Sequence, residues 1–153
     1  MDLVATGLGV ARGLPVLCDV TCVSPVTGAG FARGGCLRVD GGAVAAAQQR
    51  CHEVDYPEVD ASRAARLYCL GVEVFGRWSA DSLSLVRGVA RERVAGFSRR
   101  IARSVQTRLL RRWWGLLGTA VQLLVARAVL RGSGSDLADV LLERPPRVGD
   151  LPV

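Results

Sequence analysis

This sequence has no lysine: all 20 of its basic residues are arginine. No mechanism in the chain can therefore use a lysine amine, and a phosphate-binding Gly-x-x-x-x-Gly-Lys-Ser/Thr loop is excluded outright. The glycines at 28–42 do not form a Gly-x-Gly-x-x-Gly that opens a helix, so nucleotide binding by that route is not expected either. Histidine is nearly absent, with His52 alone, and aromatics make up only 5 % of the chain. The chain does not open with a basic, then apolar, then small-residue signal pattern, so an intracellular rather than secreted protein is expected, in the nucleus or the cytoplasm. The five cysteines, an odd number, are then expected to be reduced and mostly buried. Their spacing, Cys18-x3-Cys22-x13-Cys36-x14-Cys51, lacks the paired short knuckles of common zinc modules. Long apolar runs are missing too. Residues 113–126 are apolar apart from Thr119 and Gln122, but these 14 residues end at Arg127. A bilayer span needs roughly 20, so a transmembrane helix is not expected, and a buried, self-associating or membrane-surface helix is.

What is present is 153 residues, half of them hydrophobic, enough for one domain with a core. The charge is unevenly placed. Residues 1–80 carry 7 Arg against 8 acids, and residues 81–131 carry 11 Arg against Asp81 and Glu92 alone. Residues 132–153 carry 2 Arg against 4 acids. The basic excess thus lies in the segment whose pattern is helical. Such a patch is either a solvated face or a surface for phosphate backbones or anionic lipid.

Read in order, the pattern predicts an α/β fold with a small mixed sheet. Strands are expected at about 2–6, 15–23 and 67–75, with a crossover helix at about 42–56 and a helical extension at about 79–131. Residues 2–6 and 15–23, joined by a Gly-rich turn, suggest an antiparallel pair. Asp40 is a candidate cap for the helix that Pro57 ends. The run from 15 to 75 is long enough for a crossover between parallel strands. Ser79 is a plausible N-cap for the next helix, with Asp81 suited to its first turn. Leu83, Val86, Val89, Ala90 and Val94 form its apolar stripe. A second helix is expected from about Ser98, with arginines interleaved among apolar positions. Three units follow from this: a core over 1–78, a basic helical extension over 79–131, and a Gly/Ser linker with a Pro-rich tail over 132–153.

The strand at 15–23 is the most informative stretch. Its apolar, β-branched run holds one carboxylate, Asp19, with Thr21 two residues on and therefore on the same face. A carboxylate there needs a pair, hydrogen bonds or a metal. Either it is solvated near the strand end or caps a turn, or it belongs to a metal site. Glu73 holds a similar place in the strand at 67–75. Two carboxylates on neighbouring strands can converge on a divalent metal that activates water and stabilises an attacked phosphodiester.

The order of strand, strand, helix, strand and helix, with Asp2, Asp19-x-Thr21 and Glu73, resembles the core of the PD-(D/E)xK restriction-endonuclease-like fold. Asp2 stands for the first Asp of that motif, and Asp19-x-Thr21 for its (D/E)xK, with Thr21 where the lysine belongs. More particularly, four phrases look like the region that follows the reverse transcriptase in retrotransposon polyproteins of algal and protist genomes. They are Cys-Asp-Val-Thr-x-Val-Ser-Pro-Val-Thr (18–27), Tyr-Pro-Glu-Val (56–59), Leu-Gly-Val-Glu-Val-Phe-Gly-Arg-Trp (70–78) and Arg-Arg-Trp-Trp-Gly-Leu-Leu (111–117). The likeness covers about residues 2–130 in the same order.

The resemblance implies a Mg²⁺-dependent endonuclease site with Asp2 and Asp19 as metal ligands and Thr21, His52 and Glu73 beside them. Two departures imply that cleavage has been lost. His52 stands where the compared sequences carry a helical lysine, and the chain opens at the motif's first Asp without the upstream helix and strand, as in a truncated fragment. What remains in this reading is binding to a DNA or RNA backbone through Arg99, Arg100, Arg103, Arg108, Arg111 and Arg112, with Trp78, Trp113 and Trp114 available to stack bases. The other reading is a non-enzymatic helical interaction module that uses residues 113–130 for self-association or membrane-surface contact.

Overall fold

A computed structural model describes residues 1–33, 36, 39–62 and 64–132. The linker and tail expected beyond 132 lie outside the described residues. The architecture is α/β: a three-stranded mixed sheet with helices on both faces and a long C-terminal helix. Strands β1 (Leu3–Ala5), β2 (Val16–Val23) and β3 (Arg66–Glu73) lie in the order β1-β2-β3. β1 runs antiparallel to β2 with Leu3 opposite Cys18, and β2 runs parallel to β3 with Asp19 opposite Cys69. The crossover between the parallel strands carries helix α1 (Gly42–Arg50) and the short helix α2 (Pro57–Ala61). Helices α3 (Ala80–Arg93) and α4 (Arg99–Gly132) follow.

Alternation along β2 and β3 assigns their faces. Val16 and Cys18 turn to one side, where they pack with Ala11, Tyr68, Leu70 and Leu85 of α3. Leu17 of β2 and Leu67 and Cys69 of β3 turn to the other, against Cys51, Tyr56 and Val59. Gly71 is where α1 comes closest, since a Cβ there would lie 2.7 Å from Val44 Cγ2. A side chain there would push Val44 of α1 away from the sheet.

α1 does not continue as an α-helix to Tyr56. After Arg50 it widens into a π-turn, Cys51–Asp55, closed by the Tyr56 N–H donating to the Cys51 carbonyl at 3.0 Å. Pro57, which cannot extend the turn, starts α2 instead. Nor does Asp40 cap α1. Its N-cap is Gly41, in the left-handed region at φ 76°, and Asp40 pairs with Arg77. The orphan N–H groups of Ala43 and Val44 donate instead to Glu73 Oε1, both at 3.2 Å, from a carboxylate only 3 % exposed. A capping anion thus arrives from β3, 30 residues away in sequence, at the positive end of the helix dipole.

The outer edge of β3 is closed by the segment leading into α3. Glu73 N–H donates to the Arg77 carbonyl, Gly71 N–H to Ser79 Oγ and Cys69 N–H to Asp81 Oδ2. In return Ser79 Oγ donates to the Cys69 carbonyl and Ser82 Oγ to that of Gly71. Ser79 also accepts from Ser82 N–H as the N-cap of α3. An edge strand that could pair with another chain is covered by its own successor.

α4 is one helix of 34 residues, about 51 Å long. Trp114, Leu117, Val121 and Leu124 line an apolar groove of about 330 Å³ with Val20, Leu70, Val72 and Trp78 of the sheet side and Leu85 and Val86 of α3. Trp78 and Trp114 sit 5.3 Å apart at 50°. Elsewhere α4 is open, and only 6 % of its most apolar 18-residue window is buried. By length and composition alone that window is long and apolar enough to cross a membrane. The run of 14 seen in the sequence reaches this length because α4 continues past Arg127.

Candidate functional site

The β1–β2 register that sets Leu3 opposite Cys18 brings Asp2 opposite Asp19 on the face covered by α1. The two residues singled out in the sequence therefore stand opposite each other across the paired strands. Thr21 is on that face as well, and with Asp19 it lines a cleft of about 510 Å³ closed by Arg33, Ala43, Ala47, Arg50, Cys51 and Asp55. The other two candidates go elsewhere. Glu73 is committed to the N-terminus of α1. The π-turn carries His52 toward the outer edge of β3, where its Nε2 lies 2.7 Å from Asp81 Oδ2, in a separate cleft with Arg12, Tyr68 and Ser84.

The carboxylates opposite each other are already engaged. Asp2 Oδ2 accepts the Val20 N–H at 2.9 Å, and Asp19 Oδ1 accepts the Tyr56 hydroxyl at 3.2 Å. The Met1 ammonium donates to the Tyr56 oxygen at 2.7 Å and lies 3.7 Å from Asp19. Reduced solvation, then the negative charge of Asp19, push the Tyr56 hydroxyl above its ordinary value. It is a fixed donor to Asp19, not a base. Mg²⁺ takes near-octahedral oxygen ligands, usually one or two carboxylates with waters and substrate phosphates. Here a hydroxyl donor already holds Asp19 and a backbone N–H holds Asp2, and no third acid, His or Cys joins them among the described residues. This donor set does not fit Mg²⁺.

Cys18, Cys22, Cys51 and Cys69 offer no nucleophile. Burial pushes Cys18 and Cys22 up, and Cys51 and Cys69 form a buried, hydrogen-bonded pair. Cys69 is pushed up to about 12, first by burial and then by Cys51. Reactive cysteines need the opposite shift. All five cysteines are free.

Tyr56, Arg50 and Asp55 were not among the residues the sequence pointed to as a site. Arg50 and Asp55 pair at 3.4 Å across five residues, a spacing that does not face on an α-helix but does across the π-turn. No periodicity in the sequence marks that widening. The Tyr-Pro step was the one available signal.

The second feature is electrostatic. Arg99, Arg100, Arg103, Arg108, Arg111 and Arg112 are all exposed along the first half of α4. Its first turn holds no acid, so the helix dipole adds to their positive potential. The two acids of the basic segment are committed elsewhere: Asp81 to Cys69 and His52, and Glu92 Oε2 to the Gly9 N–H at 3.0 Å. None of the six arginines is ion-paired with a described residue. No family model, curated protein or solved structure matches the chain.

Proposed function

We propose that this protein binds a nucleic-acid backbone through the arginine-bearing first half of α4, as a retroelement-derived, nuclease-like domain that has lost phosphodiester cleavage. One observation carries the binding claim: six exposed arginines within 14 residues of a single helix, with no acid among them. Phosphate backbones meet such a surface by releasing counterions, which needs charge and reach but no base-reading geometry. The nuclease ancestry rests on Asp2 and Asp19 facing each other across neighbouring strands. The loss of cleavage rests on their engagement with Tyr56 and Val20, and on threonine standing where a lysine would position a nucleophile.

The test is fluorescence anisotropy with a labelled 20-nucleotide single strand and a duplex of equal length, across a salt series. Six phosphate contacts give a log–log salt slope of about −5 on duplex DNA. A parallel assay with Mg²⁺, using Asp19→Ala as control, is expected to give no cutting above background by either protein. Cutting by the wild type that the variant lacks contradicts the loss of activity.

A second reading has its own observation. The described residues of the apolar second half of α4 are half-buried or exposed rather than enclosed, which suits a module for self-association or membrane-surface contact. In that case the chain associates without any shift of nucleic acid.

A further inference from the structure

The groove between α4 and the sheet is apolar and open. On its α4 wall, Leu117 and Leu124 are 36 % and 57 % exposed. The same side of α4 runs on through Arg127 and Arg131, three and seven residues after Leu124. Arg127 is already engaged within the chain, and Arg131 is exposed. An apolar cradle thus gives way to two cations at the end of the helix. An occupant that suits it is apolar at one end of the contact and acidic at the other.

The sequence that follows α4 has this chemistry. Gly132-Ser133-Gly134-Ser135 has the composition of a linker. Residues 136–143 then read Asp-Leu-Ala-Asp-Val-Leu-Leu-Glu, with three acids and no base. At helical spacing Leu137, Val140 and Leu141 make one apolar stripe, and Asp136, Asp139 and Glu143 make an acidic stripe beside it. Reach is sufficient. Leu124 lies eight residues before Gly132, about 12 Å back along α4, and the five steps from 132 to 137 extend to about 17 Å. So short a tether holds the stripe at an effective concentration on the order of millimolar, which a free partner rarely matches. Its acids attract Arg127 and Arg131 and are repelled by an anionic lipid surface.

We infer that residues 136–143 of the same chain fold back antiparallel to the end of α4 and seat Leu137, Val140 and Leu141 in the apolar groove. Asp136, Asp139 and Glu143 then face Arg127 and Arg131. The groove is closed within one molecule, so the apolar half of α4 is occupied and unavailable to a second copy or to lipid. The arginines from 99 to 112 stay clear of this contact, since Arg112 lies 20 residues before Gly132, about 30 Å along the helix. The inference therefore stands apart from the nucleic-acid reading and survives its failure. Salt weakens the acidic part of the contact by screening and leaves the apolar part in place.

Trp78 and Trp114 line the groove, so quenching of tryptophan emission by acrylamide, a neutral quencher, reports whether it is covered. The full chain is measured across a micromolar dilution series, with its mass followed by sedimentation equilibrium. The expected wild type has a mass near 16.3 kDa and quenching that dilution does not change. Replacing Leu137, Val140 and Leu141 together by Glu is expected to raise the quenching constant about twofold or more. Asp136→Asn, Asp139→Asn and Glu143→Gln in one chain are expected to raise it by less, and salt to do the same to the wild type. Leu151→Glu, outside the stripe, is expected to match wild type. Equal quenching in the wild type and the triple Glu variant overturns the inference. So does a wild type of twice the mass whose protection falls on dilution, which makes a second copy the cover. Binding of the wild type to phosphatidylcholine vesicles with loss of quenching overturns it too, since lipid then takes the groove.

Discussion

Strand β3 and helix α4 are treated in opposite ways by the rest of the chain. β3 is held on every side: β2 pairs along its full length, α1 presses on Gly71, Glu73 reaches out to cap α1, and Ser79, Asp81 and Ser82 close its edge. Its cysteine and carboxylate groups work inside the fold. α4 has one side against the groove and leaves both its arginines and most of its apolar surface open. A helix apolar around much of its circumference is ordinarily buried. The contrast divides the molecule into a part complete in itself and a part built for contact.

If that division is right, changes around β3 cost stability, and changes on α4 cost association and binding. The largest expected effect is alkaline. The Cys69 thiol stays protonated in the fold up to about 12, whereas in the unfolded chain it ionises near 9.0. Its contribution, shared with Cys51, is therefore complete below pH 9 and is lost as pH climbs from 9 toward 12. Chemical denaturation at stepped pH is expected to show this steep limb, and Cys69→Ala to flatten it. Glu73→Ala removes the anion from two buried N–H groups and is expected to cost about 3 kcal/mol, with Glu73→Gln recovering most of it by keeping one acceptor. Gly71→Ala drives a methyl into Val44 and is expected to cost 1–3 kcal/mol, about the range of core overpacking.

Legibility in the sequence followed the same division. The strands, the crossover and both long helices could be read because apolar runs, Gly/Pro punctuation and helical spacing are local signals. Ser79 as an N-cap could be read for the same reason. The cap on α1 could not, because the residue at hand, Asp40, turns to Arg77 while the anion arrives from Glu73 through the parallel pairing. A distant side chain displaced a local one. At the candidate site, Asp2 facing Asp19 was implicit in the alternation and the hairpin. The π-turn, which points His52 at Asp81 and Tyr56 at Asp19, leaves no pattern in the residues that form it.

The smallest stability effect is expected on α4, and it is also the most discriminating. Replacing Arg108, Arg111 and Arg112 together by Gln is expected to leave unfolding within about 0.5 kcal/mol of wild type, since all three are exposed and none is ion-paired with a described residue. The measurement that bears most directly on the central claim is therefore the salt dependence of duplex binding by the wild type and this triple variant. The account predicts a slope near −5 for the wild type, falling in magnitude by about 3 in the variant, with both folded alike. Equal slopes for the two proteins, or no binding by the wild type even at low salt, would contradict it.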